Sequence, residues 1–410
     1  MIKIYVNKSK PGMVLSQDVI NRDGRRLFLK NLKLTQKEIR TLKMWGILEI
    51  KIQSGSRKED QPIAKGRLSD NKKTREFIDN WFCNNDLQNP VVEAIYDICL
   101  NRFEENLFEE TQVFGDKKAA GSSLIGKKIK PVKDIHLLLE DELTLPALPT
   151  IFSEINEAIK NPQCSGKDIA AIVSKDTSLS ARLLKIVNSA YYGLSEKVES
   201  LNYAAMALGT RQVSSLALGI TVIKYFKGVS DQRINMQSFW RHSIACGITA
   251  KMLATQVKGV VSERVFIGGL LHDIGRLVFL NVYPEEFNSL WDKSRRVGLF
   301  LYQVEPKYFG MSHAHFGSLL VKNWNFSDRI SQLIHHHHDN FKTAPPKEEA
   351  IVYISNWLVN AIGIGAAGEK SLPHLNMNAW KVLAIPESAL GVVIKQVDRQ
   401  LAETVRFFYE

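Results

Sequence analysis

From about residue 134 onward, apolar residues recur at helical spacing between short polar breaks, and no alternating run competes with them. Leu179, Leu183, Ile186, Val187 and Ala190 fall on one helical face, with Gly193 where a C-cap belongs. Ser262 precedes a long apolar helix that reaches His272. Pro386 opens another, whose stripe runs Leu390, Val393, Ile394, Val397 and Leu401. This regularity excludes a sheet fold for most of the chain and predicts a mainly α protein with an all-helical body. With 45% hydrophobic and 24% charged residues, there is enough apolar surface to offset the entropy of ordering, so a disordered or low-complexity chain is also excluded.

The N-terminal part reads differently. Ile2–Val6 alternates like a strand, Asp23-Gly24 is a turn dipeptide, and Arg26–Leu29 is placed to pair back. Thr35 with Glu38 makes a capping-box pattern for a short helix, Gly46 ends it, and Ile47–Ile52 resumes alternation. Residues 1–53 are therefore expected to form a small α+β module. Residues 54–133 read as basic linkers with short helices, residues 134–360 as the helical domain and residues 361–410 as a C-terminal helical extension.

The net charge of +11 is not spread evenly. Residues 1–75 hold 19 Lys/Arg against 7 Asp/Glu, and the remainder is nearly neutral. A second basic run carries Lys117, Lys118, Lys127, Lys128, Lys130 and Lys133, but without interleaved aromatics to stack on bases it reads as a solvated tether and not as a nucleic-acid surface. Cys83, Cys99, Cys164 and Cys246 are scattered, with no Cys-x-x-Cys pair. Ile2–Val6 gives way at once to Lys8, Lys10 and Pro11, unlike a secretory signal, so a reducing, cytoplasmic setting is expected. The uncharged run Ala350–Gly368 approaches spanning length, yet Ser355, Asn356, Asn360 and three glycines favour a buried helix over a membrane span.

Nine of the ten histidines lie beyond residue 240. His136 and His374 read as ordinary core or surface residues. The segment Gly268–Arg276 is different, because adjacent His272 and Asp273 inside an apolar helix are costly to bury unless something satisfies both. A divalent metal ion is one answer, with His242 on the preceding helix and His313, His337 and His338 as further donors. Hydrogen bonds that only cross-link helices are the other. Neighbours in the run His335–His338 point to different faces, so at most two can serve one site.

Several motifs then occur in order. They are Leu145-Pro146-Ala147-Leu148-Pro149, Val173-Ser174-Lys175-Asp176, Val187–Gly193, Ala207-Leu208-Gly209, Phe239-Trp240-Arg241-His242-Ser243, Gly269–Gly275, Ser312–Gly317 and His336–Asp339. Together they resemble the HDOD family over roughly residues 137–360. Lys10–Leu15 and Leu42–Ile52 look like the short module that often precedes HDOD and HD-GYP domains.

The resemblance implies an all-α bacterial signalling domain, related in fold to HD metal-dependent phosphohydrolases and to HD-GYP cyclic di-GMP phosphodiesterases. It also implies a divalent metal (iron, manganese or magnesium), or a site that has lost it. The superfamily's His, His-Asp and distant Asp map onto His242, His272 and Asp273, with Asn356 where the last carboxylate belongs. Arg276 stands where HD-GYP domains carry a lysine; it can clamp a phosphate but not readily donate a proton. No Gly-Tyr-Pro loop follows Asp339. These departures favour a non-catalytic regulatory scaffold acting on other signalling proteins. The alternative is a phosphohydrolase, or a sensor of a nucleotide or cyclic dinucleotide.

Overall fold

The structure is a computed structural model, and it describes residues 2–6, 9–20, 26–44, 47, 49–53, 72–105, 107, 131–132, 135–139, 148–161, 163–189, 192, 194, 196–226, 235–365 and 371–409. The Asp23-Gly24 turn, the Gly46 stop, Ala190, Gly193, residues 54–71 and the second basic run lie outside these residues.

In the N-terminal module, β1 (Ile2–Tyr5) pairs antiparallel with β4 (Glu49–Ile52), Ile2 opposite Ile52 and Ile4 opposite Ile50. The hairpin is formed instead by β2 (Val19–Ile20) and β3 (Arg26–Phe28). Helix α1 (Gln36–Met44) starts where Glu38 accepts the Thr35 backbone N–H at 2.8 Å. Val6, Leu15, Leu34, Ile39, Leu42, Ile50 and Ile52 close a small core of their own.

The helical body has one continuous core running from Ile78 to Phe408. Its helices are α2 (Lys72–Trp81), α3 (Pro90–Glu104), α4 (Thr150–Lys160), α5 (Gly166–Val173), α6 (Thr177–Val187), α7 (Leu201–Leu208) and α8 (Thr210–Tyr225), followed by α9 (Met236–Ala254), α10 (Ser262–Leu271), α11 (Ile274–Val282), α12 (Pro284–Val297) and α13 (Leu301–Phe309). The series ends with α14 (His313–Asn323), α15 (Asp328–His335), α16 (Lys347–Ala361), α17 (Met377–Leu383) and α18 (Leu390–Tyr409). Helix α9 is buried along nearly all its length, because α10, α16 and α18 pack around it. Helix α11 lies on α14, and α15 lies on both α14 and α10.

Two features differ from the sequence reading. Helix α6 ends at Asn188, not at Gly193: the Asn188 side chain takes the Val198 N–H at 2.8 Å and donates to the Val198 carbonyl at 2.7 Å, and this pairing fixes the turn. The pair α2–α3, read as helices within a tether, belongs to the body. Helix α16 ends in a dry environment where its last carbonyls need donors. Trp81 Nε1 and Cys99 Sγ supply them to Ala361 O at 3.3 and 3.0 Å, and Arg102 Nε to Ile362 O at 3.1 Å. Arg102 also reaches Asp398 of α18 at 2.5 Å, so the C-terminal helices share the same core.

The run Ser262–Val282 is long and apolar enough to cross a membrane by length and composition, but 89% of its apolar window is buried inside this helical body, which accounts for it. The described part of Ala350–Gly368 is likewise buried, in α16 and the turn after it.

Candidate metal centre

Helix α9 carries His242, and the break between α10 and α11 carries His272 and Asp273. The first turn of α14 brings His313, the turn after α15 brings His337 and His338, and α16 brings Asn356. Two glycines allow this convergence. A Cβ on Gly275 would stand 2.1 Å from the His313 carbonyl oxygen, so only glycine lets α11 lie against the start of α14. Gly365 adopts φ +71°, and a Cβ there would stand 2.5 Å from that of His242. The chain leaving α16 thus crosses His242 and sets Ile364 O 3.2 Å from its Nδ1.

The ring nitrogens follow one rule. A carbonyl can only accept, which favours the tautomer with the proton on the nitrogen facing it. His242 Nδ1 faces Ile364 O, His272 Nδ1 faces Gly269 O at 2.7 Å, and His337 Nδ1 faces Ile334 O at 2.6 Å. His313 Nδ1 donates to the buried Glu305 carboxylate at 2.6 Å, and Glu305 also accepts the His313 backbone N–H at 2.8 Å. Four imidazoles therefore set Nδ1 on an outer acceptor and present Nε2 to the cluster. His313 Nε2 and His337 Nε2 lie 3.3 Å apart, and Asp273 Oδ1 lies 3.1 and 3.5 Å from them. Asp273 Oδ2 is 3.3 Å from His272 Nε2 and 3.3 Å from Arg276. Asn356 Oδ1 is 3.1 Å from His242 Nε2. His272 Nε2 and Asp273 Oδ1 are buried and make no well-directed hydrogen bond, although both are surrounded by polar atoms.

The protonation states suit a cation. Burial holds His242 down at about 4 and His337 at about 3, so both rings are neutral near pH 7. Burial works against ionising Asp273, but Arg276 and His272 outweigh it and keep the carboxyl well below its ordinary value. At His313 burial is outweighed by the Glu305 carboxylate, and its pKa is raised. The cluster thus draws positive charge to its centre, and a proton and a metal ion compete for it. Glu305 and His313 form the carboxylate–histidine pair that orients a metal ligand through its far nitrogen.

A cavity of about 520 Å³ opens onto this cluster, within the range of small-ligand pockets. It is lined by Asp273, Arg276, His337, His338 and Asn356 of the cluster, together with Tyr302, Trp357, Asn84 and His374. Tyr302 lies parallel to the His338 ring at 4.2 Å between centroids.

His242, His272, Asp273, His313, His337 and His338 thus meet in one continuous cluster through Asp273, with Asn356 at its edge and Arg276 beside it. His335 and His336 turn away, toward His315 and Glu349 respectively. His374, read as an ordinary histidine, stands at the cavity wall with Nδ1 3.2 Å from Asn84 O. The His136 side chain lies outside the described residues. Glu305 and Cys246 escape the sequence reading. Glu305 has no local motif, whereas His242-x-x-x-Cys246 places two donors on one helix face, a spacing that a search for Cys-x-x-Cys passes over.

A helical body with such a His/Asp centre is the architecture of an HD-like domain. Residues 145–340, just under half of the chain, match the HDOD domain model. An uncharacterised protein of Treponema pallidum (strain Nichols) is 28% identical over 210 residues, which cover 51% of this chain and 40% of that protein's length. Two solved structures share the fold. An HDOD domain protein of unknown function from Geobacter sulfurreducens has a TM-score of 0.54 and 23% identity, and the match covers 67% of this chain and 97% of that one. A Marinobacter aquaeolei VT8 protein, named provisionally for signal transduction, has a TM-score of 0.55 and 18% identity, over 86% and 70% of the two chains.

Proposed function

We propose that this chain is a cytoplasmic signalling regulator whose HDOD body holds a divalent metal ion and acts through contacts with other signalling proteins, with little or no hydrolytic turnover. The observation that carries the metal is the set of four buried imidazoles that present Nε2 to one cluster with Asp273, each with Nδ1 on a backbone carbonyl or the Glu305 carboxylate. Its donors form two groups joined by the His272–Asp273 link, His242 with His272 and Asp273 with His313, His337 and His338, and when bound the metal supplies Lewis acidity toward a phosphoryl oxygen or water.

The surrounding residues argue for a regulatory role. Asn356 offers an oxygen without charge, and Asp273 shares its charge with Arg276 at 3.3 Å, so less negative charge is left to hold an ion and activate water. Arg276 lines the cavity as a permanent cation, suited to steady the phosphate of a bound nucleotide and unsuited to donating a proton. The fold shared with a protein named for signal transduction supports the signalling class.

The test is metal analysis of the purified chain together with a phosphodiesterase assay. Stoichiometric metal that disappears in His272→Ala and Asp273→Ala proteins, with turnover far below the roughly 1 s⁻¹ at the low end for enzymes, is the expected result. Metal-free protein that binds none on titration would overturn the metal centre. Turnover of a nucleotide at ordinary enzymatic rates would overturn the regulatory role.

A further inference from the structure

The missing carboxylate at position 356 leaves the His242 side of the cluster short of an anionic donor. One turn along α9 from His242, Cys246 is fully buried, with Sγ 3.5 Å from His242 Nε2. His242 Nε2, Cys246 Sγ and His272 Nε2 all lie within 4.8 Å of one another. His272 Nε2 is itself buried, without a directed hydrogen bond, and faces this group.

We propose that Cys246 is a metal ligand in this chain, so that His242, Cys246 and His272 form a thiolate-containing set that selects zinc or iron(II) over magnesium. The proposal rests on the metal centre argued above. Around a tetrahedral ion with metal–nitrogen and metal–sulfur bonds of about 2.0 and 2.3 Å, the N···S edge is about 3.5 Å and the N···O edge about 3.3 Å. The His242–Cys246 contact is 3.5 Å, and Asp273 Oδ2, of the neighbouring donor group, lies 3.3 Å from His272 Nε2. A thiolate supplies the charge that Asn356 lacks, and its softness disfavours magnesium, which prefers oxygen donors. As the metal–sulfur bond forms, the thiol proton leaves to solvent, so the free thiol becomes an anionic donor only with the ion in place.

Cobalt(II) titration of the metal-stripped full chain, followed by absorption, tests this. The expected spectrum has visible bands of a tetrahedral site and a near-ultraviolet sulfur-to-cobalt charge-transfer band. Zinc should abolish both, and excess magnesium should not. Cys246→Ser should lose the near-ultraviolet band and keep visible bands, while Cys99→Ser, at the other fully buried cysteine, should keep both. A wild-type spectrum with visible bands and no charge-transfer band would overturn the cysteine ligand and leave the metal centre standing, Cys246 being then a thiol hydrogen-bonded to His242. No cobalt bands at all would overturn both. The wild-type spectrum decides the question even where a variant fails to fold.

Discussion

At the scale of single residues, Glu305 governs the cluster without facing the cavity. Its carboxylate holds the His313 backbone N–H and Nδ1–H together, which fixes both the position of the ring and the direction of its Nε2. Glu305→Gln keeps the shape but removes the charge that strengthens the Nδ1–H bond. Metal affinity is expected to fall about 10- to 100-fold with little change in helical content, as read by metal titration and circular dichroism. Unchanged affinity would mean that His313 is not a ligand.

At the scale of elements, the helix ends carry the local information. Asp176 caps α6 by accepting the Leu179 N–H at 2.9 Å, and Lys224 reaches it from α8 at 3.2 Å. The Leu179 hydrogen bond, aided by Lys224, keeps its carboxyl below the ordinary 3.8. A depressed carboxylate contributes stability above its unfolded value and loses it as pH falls through the folded one. Asp176→Ala is therefore expected to cost about 1 kcal/mol at neutral pH, with the difference from wild type shrinking below pH 3.8. Asp176→Asn should keep most of the cap and lose that pH dependence. Denaturant melts at several pH values check both, and a cost for Asp176→Ala that does not change with pH would contradict the assignment.

At the scale of the whole molecule, the segments flanking the family match complete the fold and wall its cavity. Asn85 Nδ2 donates to Leu372 O and Pro373 O at 3.2 and 3.1 Å, its Oδ1 accepts the Leu375 N–H at 2.9 Å, and Leu372 N–H bonds Trp81 O at 2.7 Å. Arg102 is buried against Ile362 O and Asp398. Arg102→Met is expected to destabilise the body by about 2–3 kcal/mol, since Ile362 O, Leu107 O and Asp398 lose a charged donor while Asp398 regains some water. Deleting residues 72–105 should go further, leaving the end of α16 without donors and an apolar face bare. Loss of a cooperative helical melt is the expected result, and a fully stable deletion protein would show that α2–α3 is dispensable.

Much of this was legible in the chain itself. Helical spacing beyond residue 134 reports the body because each helix must bury one face, and the cap of α1 is a local hydrogen bond written in neighbouring residues. The pairing of His272 with Asp273 in an apolar run and the ordered motifs pointed to the same helices that meet at the centre. Tertiary structure alone decided which donors converge. His242 and Asn356 are 114 residues apart, and Glu305 reaches His313 only because α13 and α14 double back. It also decided that α2–α3 belongs to the body, because the acceptors at Ala361 and Ile362 lie some 260 to 280 residues beyond their donors. Periodicity and capping act within a turn or two of chain, whereas ligand convergence and buried hydrogen bonding depend on helix crossings that no local pattern encodes.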